Sequence, residues 1–138
     1  MLKGSCLCGA VQFELTGEPL DTFVCHCSAC RKCAGPNGSA NLVVDSKDYR
    51  QTGETRSWAR KGISGLDLVY DFCATCPTIV VARAACMGRA LIVKPGLLDS
   101  AVDIEKFPPR AELFVKDRID VWCERGRGGG DVELKETQ

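Results

Sequence analysis

The stretch VCHCSAC, residues 24–30, places three cysteines within six positions and holds the only histidine of the chain between two of them. Two further pairs of closely spaced cysteines lie on either side of it, in SCLC at residues 5–8 and in CATC at residues 73–76. Cysteines at such short spacing are typical of metal sites, which either stabilise a fold or carry chemistry. The arrangement of these three groups therefore decides both the fold prediction and the functional one.

Length and composition indicate one globular domain. The chain has 138 residues, of which 45% are hydrophobic and 26% are charged. Lysine plus arginine equals aspartate plus glutamate at 18 each, so no global field favours nucleic acid or an anionic membrane as a partner. No apolar run approaches the roughly 20 residues of a membrane helix, and the start MLKGSCLCGAV lacks the features of a signal peptide. We therefore expect a cytoplasmic protein.

The chain contains ten cysteines, which is a high number for a protein expected in a reducing compartment. Structural disulfides are rare there, and metal binding or thiol chemistry is the better expectation. A Ser-His-Asp or Cys-His catalytic arrangement needs a histidine, and His26 is the only one in the sequence. Zinc chemistry is the favoured hypothesis.

The hydrophobic pattern predicts a mainly β fold with little or no helix. Segments of alternating or β-branched residues are typical of strands, and they occur at residues 9–15, 21–25, 40–44, 66–72, 78–85 and 89–96. Residues 52–65 are polar and contain several glycines, so we expect an exposed loop there. The domain is predicted to span residues 1–125, followed by a flexible glycine-rich tail at 126–138.

Seven of the ten cysteines divide into one complete set of zinc ligands and one incomplete set. A structural zinc takes four ligands, and a catalytic zinc keeps three protein ligands and an open position. The two cysteine pairs combine into a four-thiolate site formed by Cys6, Cys8, Cys73 and Cys76. The remaining group of Cys25, Cys27 and Cys30 is one ligand short, which makes it the candidate catalytic site.

Alternatives remain open for the three-cysteine group. Cys33 or His26 could supply a fourth ligand and convert the group into a second closed structural site. Against this, His26 lies between two cysteines of an extended segment, so its side chain is expected to point away from the sulfurs as a supporting or surface residue. Arg31 and Lys32 are either a solvated face or a binding site for an anionic substrate beside the metal.

The cysteines outside the three groups have simpler expected roles. The two paired groups could also be buried thiols that only pack in a core, which their spacing makes the weaker hypothesis. Cys86 and Cys123 are isolated in apolar surroundings and are expected to be core thiols of that kind.

Five segments resemble the glutathione-dependent formaldehyde-activating enzyme family, which also includes centromere protein V. They are GSCLCGAVQFEL at 4–15, CHCSACRK at 25–32, FCATC at 72–76, IVKPGLLD at 92–99 and ELFVKDR at 112–118. The resemblance covers roughly residues 3–122. It implies an Mss4-like fold of coiled antiparallel β-sheets with two zinc ions. It also places the structural zinc on the four-cysteine set and the catalytic zinc on Cys25, Cys27 and Cys30.

The activity implied by the resemblance is the condensation of formaldehyde with glutathione to S-hydroxymethylglutathione, a carbon–sulfur lyase reaction. The expected partner is therefore a small carbonyl compound or its thiol adduct, with glutathione as the thiol. One alternative is a zinc-dependent lyase or isomerase of specialised metabolism that acts on a larger carbonyl substrate. Gly38 stands where the family often has phenylalanine, which predicts a wider pocket near the catalytic zinc.

A further alternative is a non-catalytic, zinc-stabilised binding module, since centromere protein V is a chromosome- and microtubule-associated protein. A strongly basic extension would favour binding of that kind. The balanced charge of this chain counts against it.

Overall fold

A computed structural model describes residues 1–124 and confirms the mainly β prediction. The predicted tail at 126–138 lies outside the described residues. The described part contains ten strands, which are β1 Leu2–Ser5, β2 Gln12–Leu15, β3 Asp21–Cys25, β4 Ser39–Asp45, β5 Tyr49–Thr52, β6 Thr55–Lys61, β7 Asp67–Cys73, β8 Ile79–Ala84, β9 Ala90–Val93 and β10 Ala111–Leu113. The described part also contains four single-turn 3-10 helices and three short α-helices, which are α1 Ser28–Ala34, α2 Ala101–Glu105 and α3 Asp120–Cys123.

The strands form two sheets. A three-stranded sheet has the order β1-β2-β5, and a seven-stranded sheet has the order β10-β3-β4-β9-β8-β7-β6. All neighbouring strands are antiparallel except β10, which pairs with β3 in parallel. No helix among residues 1–124 is long and apolar enough to cross a membrane.

One face of the seven-stranded sheet packs against the three-stranded sheet and forms the core. Strand side chains alternate between faces, so every second residue of β4 and β9 points to this side. Leu42, Val44 and Val93 of the large sheet share one buried cluster with Phe13 and Leu15 of the small sheet. Phe13 also stacks on a tyrosine of β5, with 5.6 Å between ring centroids.

The register of the strands also decides which residues lie next to one another on the opposite face of the seven-stranded sheet. Cys25 of β3 pairs with Ser39 of β4, and Ile92 of β9 pairs with Ala82 of β8. Ala82 in turn lies opposite Tyr70 of β7. Residues that are remote in sequence therefore form rows on one face, and this face carries the candidate site.

The prediction of an exposed loop at residues 52–65 is wrong. Residues Thr55–Lys61 form β6, which pairs with β7 along seven residues, and only residues 62–66 form the connecting turn. Because β6 is the edge strand of its sheet, most of its side chains are exposed on both faces and show no apolar period. Trp58 of this strand is exposed but stacks on Tyr70, with 6.1 Å between ring centroids.

Gly53 allows its backbone to lie close to the backbone of Ala10, and a substitution at Gly53 should show the effect of this contact. It has a φ of +91°, and a Cβ atom there would overlap the carbonyl oxygen of Ala10. Gly65 has a φ of +78° but open space around the same position. We expect Gly53→Ala to lower the free energy of unfolding by about 2–5 kcal/mol, because backbone strain and overpacking add.

The matched variant Gly65→Ala should cost only the strain of about 1–2 kcal/mol. Urea unfolding curves of both variants measure the difference. Equal losses would contradict the close approach to Ala10.

Candidate metal centres and cavity

The four-cysteine cluster joins the two sheets. Cys6 follows β1, and Cys73 is the last residue of β7. The four sulfurs of Cys6, Cys8, Cys73 and Cys76 all lie within 4.8 Å of one another. The Sγ atoms are 3.6 Å apart between Cys6 and Cys8 and 3.8 Å apart between Cys8 and Cys73. Thiolates bound to one tetrahedral zinc at ~2.3 Å lie roughly 3.8 Å apart, so the cluster fits the ion.

Hydrogen bonds to three of these four sulfurs favour their thiolate forms, whereas the pKa of the Cys8 thiol is raised to about 11. The backbone N–H of Val11 donates to Cys6 Sγ at 3.2 Å, and the N–H of Thr75 donates to Cys73 Sγ at 3.3 Å. The hydroxyl of Thr78 lies 3.2 Å from Cys76 Sγ and lowers the pKa of that thiol to about 6. Because metals bind the deprotonated sulfur, such contacts prepare the cluster for an ion.

The three-cysteine cluster forms where β3 runs into α1. Cys25 ends β3, Cys27 is the N-cap of α1, and Cys30 lies in the first turn of that helix. Their sulfurs all lie within 4.8 Å of one another. The backbone N–H of Cys30 donates to Cys27 Sγ at 3.4 Å, and the Cys30 side chain lowers the pKa of Cys25 to about 5. The turn from strand to helix thus brings the three thiols together.

No fourth ligand joins this cluster among residues 1–124. Cys33, which could have closed it, lies on α1 and is exposed. His26 is buried, with 3% of its surface exposed, and its Nε2 atom lies 2.9 Å from Glu112 Oε1. Glu112 also accepts from Arg118 at 3.0 Å. His26 is thus directed to Glu112, and the alternative of a surface histidine is wrong.

All ten cysteines are free thiols, and neither cluster contains a disulfide. The sulfur separations exceed the ~2.05 Å of a disulfide bond and fit a shared ion. The donor sets, four thiolates and three thiolates, are those that zinc prefers. Both clusters could therefore hold metal ions, as the sequence predicts.

The three-cysteine cluster opens onto a cavity of about 260 Å³. The volume lies slightly below the ~300–1,000 Å³ that is usual for small-molecule pockets. The cavity floor is the outer face of the seven-stranded sheet, including Phe23, Leu68, Ala82 and Ile92. Residues 62–66, the turn between β6 and β7, lie along its margin. The lining is predominantly apolar and contains only a few polar groups.

The polar groups of the cavity are ones that sequence reasoning missed. Lys94 Nζ donates to Ser39 Oγ at 2.5 Å and to Asn41 Oδ1 at 2.6 Å. Arg60 Nε donates to the Tyr70 hydroxyl at 3.1 Å, and its guanidinium lies 5.7 Å from the centre of the Tyr70 ring. A lysine directly after the apolar run ALIV was the only signal for the first of these groups.

Phe114 adds a strained backbone to the cavity wall. Its φ of 56° and ψ of 45° are left-handed, a region that residues other than glycine rarely adopt. Such conformations persist where the surrounding structure imposes them, often at ligand sites.

Several sequence predictions about neighbouring residues are wrong. Cys86 is exposed and lines the cavity, and Cys123 is half-buried with its Sγ 3.9 Å from the Asn37 carbonyl oxygen, so neither is a core thiol. Gly38 is absent from the cavity lining, and a Cβ atom there would meet His26 and Val24. Arg31 and Lys32 are exposed on α1 and lie outside the cavity, which agrees with the prediction of a solvated face and gives no support to the alternative of an anion site.

Fold and clusters together define a small mainly β protein with one complete and one incomplete cysteine cluster of metal-site geometry. The chain belongs to the family described as glutathione-dependent formaldehyde-activating enzyme, whose model matches residues 1–117.

A curated relative agrees with this family assignment, and a solved structure agrees with the fold. The chain is 32% identical over 129 residues to a Halomonas elongata protein named "Putative glutathione-dependent formaldehyde-activating enzyme", covering 90% of this chain and 80% of the relative. The fold of this chain is similar to that of a Rhodobacter sphaeroides protein of known crystal structure, with a TM-score of 0.58 and 22% sequence identity. That match covers 80% of this chain and 99% of the other.

Proposed function

We propose that this protein is a zinc-dependent carbon–sulfur lyase acting on thiol adducts of small aldehydes, with residues 1–125 as its single catalytic domain. The observation that carries the proposal is the position of the incomplete cluster. Three sulfurs within 4.8 Å of one another, without a fourth ligand from residues 1–124, lie in the wall of a small-molecule cavity. Family membership supports glutathione as the thiol partner.

In this proposal the two clusters have different roles. Cys6, Cys8, Cys73 and Cys76 hold a structural zinc ion. Cys25, Cys27 and Cys30 hold the catalytic one. A zinc ion with three protein ligands supplies Lewis acidity, which lowers the pKa of a bound thiol and polarises a carbonyl oxygen.

The reaction balances without any further reagent. In the direction of condensation, the thiol sulfur attacks the carbonyl carbon and a C–S bond forms. The π electrons of the carbonyl move to its oxygen, which takes up the proton released by the thiol. The cavity places the two reactants together, which removes much of the entropic cost of a bimolecular step. It also excludes bulk water from the reacting groups.

The cavity favours a second candidate, an enzyme of the same type that acts on a larger carbonyl compound. Formaldehyde has two heavy atoms and would leave most of the 260 Å³ empty. Glutathione carries several charges, which are costly to bury against apolar side chains such as Leu68 and Ile92. Its charged parts would therefore remain at the mouth while the carbonyl compound occupies the interior.

Metal analysis and an exchange assay test the proposal together. We expect two zinc ions per chain in protein purified without reducing agent. Exchange NMR of glutathione, an aldehyde and their adduct should show interconversion that rises in proportion to protein concentration. Formaldehyde and larger apolar aldehydes are compared to separate the two candidates.

The control is Cys33→Ser, because Cys33 is exposed and outside the clusters. One zinc ion per chain and no acceleration for any aldehyde would overturn the lyase proposal and favour a zinc-stabilised binding module.

A further inference from the structure

Lys94 lies outside both cysteine clusters and lines the cavity. It directly follows β9, where the register between β4 and β9 places it opposite Asn41. The Nζ atom is held by Ser39 and Asn41, whose side chains are buried at 1% and 4% exposure. A hydrogen bond between Ser39 Oγ and Asn41 Oδ1, at 3.2 Å, joins these two acceptors. The ammonium group is therefore fixed in place before any ligand arrives.

The ammonium group has no carboxylate partner and retains a donor. No ion pair of Lys94 occurs among the described residues 1–124. An ammonium carries three N–H donors, and the two side-chain acceptors use two of them. Burial holds the pKa of Lys94 below its usual value, and the negative sulfurs of the cysteines on β3 and α1 offset only part of this shift. The remaining N–H is available to a ligand in the cavity that Lys94 lines.

The surroundings of Lys94 select for a neutral ligand with an apolar body. Phe23, Leu68, Ile92 and Met87 line the same cavity. With the zinc ion of the proposed function bound, three thiolates, one divalent ion and Lys94 would sum to zero charge and would leave no net charge for an ionic ligand to balance. The other charged side chains of the lining, Arg60 and Asp67, have opposite signs. A charged ligand would therefore lose its hydration without gaining a counter-ion.

We propose that Lys94 binds the carbonyl oxygen of an aldehyde or ketone whose apolar body occupies the cavity. This inference rests on the proposed function, because it names the substrate class and a binding residue for the same site. The carbonyl oxygen accepts a hydrogen bond from Nζ, which orients the carbonyl carbon toward the three-cysteine cluster. Negative charge that develops on this oxygen when the thiol attacks is stabilised by the fixed ammonium group.

The test compares two probes of similar shape in zinc-loaded protein by titration calorimetry. Acetophenone carries the carbonyl group, and ethylbenzene lacks the oxygen. We expect the wild-type protein to bind acetophenone about tenfold or more tightly than ethylbenzene, as a hydrogen bond to a charged group provides. Lys94→Met should remove this preference and leave the affinity for ethylbenzene within about twofold, since methionine keeps the length and the apolar contacts.

Three controls make the result decisive. Lys3→Met changes an exposed lysine of the other sheet and should preserve the preference. Lys94→Arg retains a charged donor, and partial recovery of acetophenone binding is expected even if the methionine variant does not fold. Zinc content is measured for every variant, because loss of metal would mimic loss of the carbonyl contact.

The inference is overturned if the wild-type protein shows no preference for acetophenone, or if Lys94→Met weakens both probes equally. Its failure is distinguishable from failure of the proposed function. Glutathione-dependent turnover of formaldehyde without any preference for acetophenone would reject only the role of Lys94. A preference that depends on Lys94, without accelerated exchange of any thiol adduct, would reject only the lyase reaction.

Discussion

Cys73→Ser is expected to abolish cooperative folding of the protein. Cys73 is 2% exposed at the end of β7 and lies in one cluster with Cys6, which follows β1 of the other sheet. A structural zinc site contributes roughly 10–16 kcal/mol in small zinc domains, which matches or exceeds the total stability of about 5–15 kcal/mol for a typical domain. Loss of one ligand removes most of this contribution and leaves a buried polar hydroxyl among thiolates.

Circular dichroism during thermal unfolding and metal analysis measure the effect. The variant should show no cooperative transition and should have lost at least one zinc ion per chain. Cys86→Ser is the control, because Cys86 is exposed, and a substitution there should change stability by about 0.5 kcal/mol or less. A Cys73→Ser protein that melts like the wild type would show that the four-cysteine cluster does not hold the sheets together.

Cys27→Ser is expected to abolish turnover while the fold remains. Cys25, Cys27 and Cys30 are close in sequence, so losing the metal at this cluster breaks no contact between distant parts of the chain. Cys27 is also the N-cap of α1, and serine is among the best N-cap residues, so the helix keeps its start. With two thiolates instead of three, the site should lose its zinc ion, and adduct exchange should fall to the uncatalysed rate.

The measurement combines exchange NMR with zinc analysis and a melting curve. The zinc content should fall from two ions to one, and the melting temperature should change by only a few degrees. Cys33→Ser is the matched control on the same helix, and it should keep both zinc ions and full activity. If Cys27→Ser is as destabilising as Cys73→Ser, the three-cysteine cluster is a second structural site and the catalytic proposal fails.

Much of the fold was predictable because strand patterns are local. The alternating residues of DTFVC and the apolar run of ALIV indicate strands that the structure contains as β3 and β9. The edge strand β6 was missed for a physical reason. An edge strand with most side chains exposed needs no apolar period, and its pairing with β7 is visible only once the partner is known.

The candidate metal sites were predictable to a similar degree. Short spacing brings Cys25, Cys27 and Cys30 together wherever the chain turns from strand to helix, so the group is visible in the sequence alone. The pairing of Cys6 and Cys8 with the cysteines at 73 and 76 followed from counting ligands, and the structure brings all four together.

The sequence by itself thus determined the mainly β fold, the family and the division of seven cysteines into two clusters. Only the tertiary structure decided what surrounds the incomplete cluster. It placed Lys94 against Ser39 and Asn41, and it directed the buried His26 to Glu112. The physical reason is that ligand spacing within one segment is a local property. A cavity, in contrast, arises from the register of strands that are distant in sequence, and register depends on which strands pair.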